Sequence, residues 1–124
     1  MNSSADRCIV FDENNVFMRI IRNEVPSDII YEDDYVIAIK DINPRAEIHV
    51  LVISKGQYVT LDHLIEKGDF SEVCGFFGSL NRVLDVLGVK KTGYRLVTNA
   101  GKGGHQEVMH LHFHILSGNG VPVH

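Results

Sequence analysis

Three of the seven histidines in this 124-residue chain, His110, His112 and His114, alternate with Leu111, Phe113 and Ile115. A strand repeats every two residues, so this spacing sends the imidazoles to one face and the apolar side chains to the other. In-face neighbours on a strand stand about 7 Å apart at the backbone, near enough for ring tips to converge on one phosphate or one metal ion. Two chemistries fit. Neutral imidazoles ligate zinc, and His-x-His on a strand is a workable pair. Alternatively, one imidazole attacks phosphorus while its neighbours orient the phosphate and move protons. Gly101, Gly103 and Gly104 lie just upstream, and such glycines let backbone N–H groups approach phosphate oxygens. A glycine-rich turn alone is common in hairpins. Followed directly by three in-face histidines, it becomes informative.

The elements that must position this strand can be read from periodicity. Val16, Phe17, Ile20 and Ile21 form a helical apolar face, with Pro26 as the expected stop. Ile29–Glu32 and Tyr35–Ile39 read as a hairpin around Asp33 and Asp34, and Asp41 to Pro44 as a turn. Ile48–Ile53 is a continuous apolar run broken only by His49, the pattern of a strand covered on both faces. A short helical turn is expected between Gln57 and Gly68. A long helix is expected from about Phe70 to Leu87, where Val73, Phe76, Phe77, Leu80, Leu84 and Leu87 make one stripe and Gly88 supplies the stop. Tyr94–Thr98 and Val108–Leu116 complete the set. Connections this short suit antiparallel pairing, so the pattern predicts an α+β domain with its sheet packed on a helix. Residues 1–15 are polar without periodicity and read as a loose arm, leaving 16–124 as a single domain.

Composition narrows the possible functions. Hydrophobic residues make up 44% and charged residues 23%, values of an ordinary globular chain rather than a disordered one. No apolar run approaches the 18 or so residues of a membrane span, and the start lacks an apolar signal segment, so the expectation is a cytoplasmic protein with no membrane partner. A net charge of -4 argues against a broad nucleic-acid footprint, while a single small nucleotide stays compatible. Cys8 and Cys74 match no metal pair or redox dithiol and read as free thiols.

The run His110-Leu-His112-Phe-His114-Ile-Leu116 resembles the signature of the histidine-triad (HIT) family. The likeness extends through LVTNAGKGG, DINPRAEIHVLVIS and FMRIIRNEVPSDIIYEDD, about residues 16 to 118, and is strongest to the bacterial type of the Hint branch. It implies a HIT-like fold of about five antiparallel strands with one long and one short helix. It also implies a two-step nucleotide hydrolysis without a cofactor, in which His112 attacks the α-phosphate, the leaving group departs, and water frees the histidine. His114 would then contact the phosphate or leaving group, His110 would support the cluster, and His49 would complete a proton relay. Asp41 would hold the ribose, with Ile42, Val16, Phe17 and Ile20 around the base. Asn99 and the backbone around Gln106, Glu107 and Val108 would hold phosphate oxygens, partly through N–H donors.

The implied substrate is a purine nucleoside phosphoramidate, with the monophosphate as product, and the implied assembly a homodimer through the long helix and the Tyr94–Thr98 strand. Hydrolysis of dinucleoside polyphosphates, or nucleotide-dependent regulation of a partner, remain alternatives. The chain departs from the family pattern at three places. Glu107 stands where other branches carry serine or threonine. Asn15 and Met18 occupy the positions of a Cys-x-x-Cys zinc pair, so no structural metal is expected. The tail after Ser117-Gly118 is short.

Overall fold

The computed structural model describes residues 9–123, so Cys8 lies outside the described residues. Ten elements follow in order: α1 (Val16–Ile21), β1 (Ile29–Glu32), β2 (Val36–Lys40), β3 (Ile48–Ser54), α2 (Leu61–Lys67), α3 (Phe70–Leu87), α4 (Val89–Thr92), β4 (Arg95–Val97), a 3-10 turn (Lys102–Gly104) and β5 (His112–Ser117). The five strands form one antiparallel sheet in the order β1-β2-β3-β5-β4. The α+β class and the five-stranded sheet agree with the sequence reading, but among the described residues the helices number one long and three short.

Each face of β3 has its own cover. Val50 and Val52 join Val36, Ala38, Leu111, Phe113 and Ile115 beneath Phe76, Leu80, Val83 and Leu84 of α3. Leu51 and Ile53 join Ile37 and Ile39 beneath Phe17 and Ile20 of α1. This double cover is why β3 reads as an unbroken apolar run rather than an alternating one. α3 begins at Asp69, whose carboxylate accepts the Glu72 N–H, and ends at Gly88 with φ +68, a left-handed conformation that glycine adopts without strain.

Beyond shifts of one residue at several strand ends, three features differ from the sequence expectation. α1 stops at Arg22, followed by Asn23 in the left-handed region, rather than at Pro26; an asparagine C-terminal signal went unread. Val83 belongs to the buried stripe of α3 although the periodic set omitted it. β5 starts at His112 rather than Val108. The backbone before it bends, with His110 N–H donating to Val108 and Leu111 N–H donating to the Tyr58 carbonyl. His110 therefore sits off the ladder, not as the first of three in-face strand residues.

Candidate active site

The antiparallel register places His112 opposite Ile53, His114 opposite Leu51 and Leu116 opposite His49. Cross-strand partners share a face, so His49, His112 and His114 emerge on the side covered by α1. The ring centroids of His112 and His114 lie 5.2 Å apart, and those of His49 and His114 5.3 Å apart.

Hydrogen-bond partners of fixed polarity assign the proton on every ring. Arg45 N–H donates to His49 Nδ1 at 3.1 Å, so neutral His49 carries its proton on Nε2. That N–H donates to His114 Nδ1 at 3.0 Å, which leaves the His114 proton on Nε2. His112 Nδ1–H donates to the His110 carbonyl at 2.7 Å, so its Nε2 lone pair is free. His110 Nε2–H donates to the Ser54 carbonyl at 2.6 Å. Its Nδ1 accepts from the Asn15 amide at 3.1 Å, and the amide orientation is set by Met18 N–H donating to Asn15 Oδ1 at 3.0 Å. The cluster thus offers one free imidazole lone pair, on His112, beside an N–H donor on His114.

Burial reinforces this assignment because a charged ring loses hydration inside the fold. It pushes His110 and His114 down to about 4. His112 and His49 are also held below their ordinary value, with desolvation the main cause in each. Asp41 and Glu107 pull His112 the other way without reversing the direction. The four imidazoles are therefore neutral at neutral pH, the state a nucleophile needs.

The remaining residues expected at the site fall into two groups. Phe17 packs edge-on against His112 with centroids 4.9 Å apart, and both Phe17 and Ile20 are buried in the core beneath α1. Val16 and Ile42 are exposed, Ile42 at 90%. Asp41 Oδ2 lies 3.4 Å from His49 Nε2, and its other oxygen accepts the Asn43 N–H. Asn99 and Gln106 brace the glycine loop. Asn99 Nδ2 donates to Gly104, while Gln106 accepts from Gly101 N–H and donates to Val59 and Val108. Val108 packs beside α1. Among the described residues, the backbone N–H groups of Glu107 and Val108 carry no hydrogen bond.

His110 touches Phe11 at 5.1 Å and Phe17 at 5.9 Å between ring centroids and is wholly buried. Phe11 and Asn15, both in the stretch read as a loose arm, were missed as neighbours of the cluster. Asn15 carried a legible helix-start signal. Its second bond, to a residue 95 positions away, had none.

Asp41, His49 and His114 each present a potential metal-ligand atom, all within 4.8 Å of one another. The lone pair of His49, however, faces Arg45 N–H, and a metal at Nε2 would break that bond. The trio is better suited to sharing protons.

A family model described as the HIT domain matches residues 22–121. An uncharacterized HIT-like protein of Rickettsia prowazekii is 39% identical over 109 residues, covering 88% of this chain and 91% of the relative. The purine nucleoside phosphoramidase of Escherichia coli K12 is 36% identical over 107 residues, covering 86% and 88%. The solved structure of a histidine triad protein from Clostridium difficile superimposes with a TM-score of 0.80 at 36% identity, covering 93% of this chain and 99% of that one. The chain belongs to the HIT family. No helix among its described residues is long and apolar enough to cross a membrane.

Proposed function

We propose that this protein hydrolyses purine nucleoside 5′-phosphoramidates through a nucleotidyl intermediate on His112. The observation that carries this reading is the His112 tautomer. Its Nδ1–H is held by the His110 carbonyl, so Nε2 keeps its lone pair free in a ring that burial keeps neutral. Covalent catalysis divides one hard displacement into two easier steps. In the first, the P–Nε2 bond forms and the P–N bond of the substrate breaks. The departing nitrogen takes a proton from solvent, relayed through Glu107, an exposed carboxylate whose charge acts on His112. In the second, water attacks phosphorus, the P–Nε2 bond breaks, and the proton returns to solvent.

His114 Nε2–H and the backbone N–H groups of Glu107 and Val108 supply donors for phosphoryl oxygens as their charge develops. The nucleoside would lie toward α1, with Asp41 accepting ribose hydroxyls and Ile42 and Val16 beside the base. The similarity to the E. coli phosphoramidase supports this substrate class. The protein is also proposed to pair symmetrically through α3 and β4. Phe77 and Leu96 are partly exposed there, and β4 is an edge strand of the sheet.

Quenched-flow mass spectrometry with an adenosine phosphoramidate tests the reaction. A transient adenylyl group on His112, with release of AMP and amine, is the expected result, and His112→Ala should lose at least about a thousandfold in kcat, the scale seen when a covalent nucleophile is removed. Ordinary turnover by His112→Ala would defeat the assignment.

A further inference from the structure

The His110 carbonyl that accepts His112 Nδ1–H and the N–H of Leu111 belong to one amide group. No cis peptide occurs among the described residues, and in a trans amide the C=O and N–H bonds point in opposite directions within one plane. Whatever holds the Leu111 N–H therefore aims the His110 carbonyl. The holder is the Tyr58 carbonyl, at 2.8 Å. Donation at the N–H end also strengthens the carbonyl at the other end as an acceptor.

Tyr58 is itself held by its backbone, its ring and its hydroxyl. The N–H donates to the Gly56 carbonyl at 3.0 Å, and the ring packs edge-on against His63 and on the core beneath α3. The hydroxyl donates to Glu72 Oε1 at 2.5 Å. Glu72 lies in the first turn of α3, three residues after the Asp69 cap. A glutamate at that spacing can return to the N–H of the cap residue, yet here a carboxylate oxygen takes the Tyr58 hydroxyl. Gly56 leaves the room this pair needs, because a Cβ there would stand 2.7 Å from the Tyr58 ring and 2.8 Å from Glu72 Oε2. Burial, followed by Glu72, pushes the Tyr58 phenol up to about 12, so at neutral pH it is a donor and not an anion.

We propose that Tyr58, anchored by Glu72, is a positioning residue for His112: it sets the plane of the His110–Leu111 peptide, and through that carbonyl it fixes the tautomer and direction of the His112 ring. The inference rests on the reading of His112 as nucleophile. It gives α3 a link to the chemistry, running from the first turn of the helix through the Glu72 carboxylate, the Tyr58 side chain and the Tyr58 carbonyl to one imidazole. None of these groups is among those assigned to the nucleotide. Loss of the link should therefore slow the chemical step and leave substrate binding nearly intact.

Tyr58→Phe keeps the ring and removes the hydroxyl, Glu72→Ala removes its acceptor, and Glu72→Gln keeps an oxygen that accepts the same bond. Val83→Ala, a truncation in the buried stripe of α3, supplies a variant destabilised without touching the link. Hydrolysis of an adenosine phosphoramidate is measured beside the proton and nitrogen-15 resonances of the imidazoles in the nucleotide-free protein. Tyr58→Phe and Glu72→Ala should each lower kcat by about tenfold with KM nearly unchanged, the scale of a reacting group misplaced by a fraction of an ångström. Combined, they should cost no more than either alone, because both break one bond. Glu72→Gln should recover most of the loss. The His112 Nδ1–H should exchange with solvent faster in Tyr58→Phe and Glu72→Ala than in Val83→Ala, and its ring nitrogens should move toward mixed tautomers. An Nδ1–H resonance and exchange rate unchanged in Tyr58→Phe, or a kcat loss no larger than that of Val83→Ala, overturns the proposal. Absence of turnover by wild type would instead sink the hydrolase reading, and the Nδ1–H exchange would still decide whether Tyr58 holds His112.

Discussion

At the scale of the residue, the triad and His49 together make four rings in different hydrogen-bonding states, each set by which nitrogen is already occupied. Of these four rings, only His112 keeps a lone pair that no donor among the described residues faces. His114 keeps a free N–H through the chain that begins at Arg45 N–H. His110 has both nitrogens engaged. The cost of keeping these rings neutral appears as a dependence on pH. Their folded values lie below the ordinary 6.5, with His110 and His114 at about 4, so between those limits the unfolded chain binds protons that the folded chain refuses. Stability from this source is complete above the unfolded value and is lost as pH falls toward the folded one. The carboxylates with lowered values, such as Asp33, titrate from an ordinary 3.8 and act only at more acid pH. The urea midpoint should therefore drop between pH 7 and pH 5, and drop less in His114→Asn. An unchanged midpoint across that window would contradict neutral burial of the rings.

At the scale of the element, α1 is a helix of six residues, too short to hold itself together in water. It is fixed by its buried face and by Asn15, whose carbonyl oxygen caps the helix while its amide holds His110. The His110 carbonyl in turn orients His112, so one side chain couples the start of α1 to the proposed nucleophile. Asn15→Ala should cost about 1 kcal/mol from the lost cap and lower kcat/KM by about tenfold through the freed His110 ring. Asn15→Asp separates these effects because it keeps the capping acceptor but cannot donate to His110 Nδ1. It should restore much of the urea midpoint without restoring activity, and it should raise the acid limb of the pH–rate profile by favouring protonated His110. If Asn15→Asp recovers wild-type activity with an unchanged pH profile, Asn15 acts only as a cap.

At the scale of the whole molecule, one face of the sheet carries the candidate site and the other the main core, and β4 is one of the two edge strands. β4 has three residues, and the half-open Leu96 lies at this edge, with Phe77 part-exposed on α3. Leu96→Glu would place a charge in the centre of the proposed symmetric interface. The expected outcome is a shift from dimer to monomer in sedimentation velocity, with the far-ultraviolet spectrum retained. A dimer that persists in both Leu96→Glu and Phe77→Glu would place the interface elsewhere, and a wild-type monomer would remove it.

The sequence alone determined the features that depend on local order. The triad spacing, the double-covered β3, the span of α3 and its Gly88 stop all follow from periodicity and backbone permissiveness, which act over a few residues at a time. The motif resemblance added the family and the candidate nucleophile. Tertiary structure alone decided the proton positions, because they depend on partners such as Arg45 N–H, the Ser54 carbonyl and the Asn15 amide that lie far from the rings they bind or outside the motif. It also decided that β5 begins at His112: the Tyr58 carbonyl accepts the Leu111 N–H and draws the preceding residues off the ladder, a competition between hydrogen-bond partners that no alternation of side chains encodes.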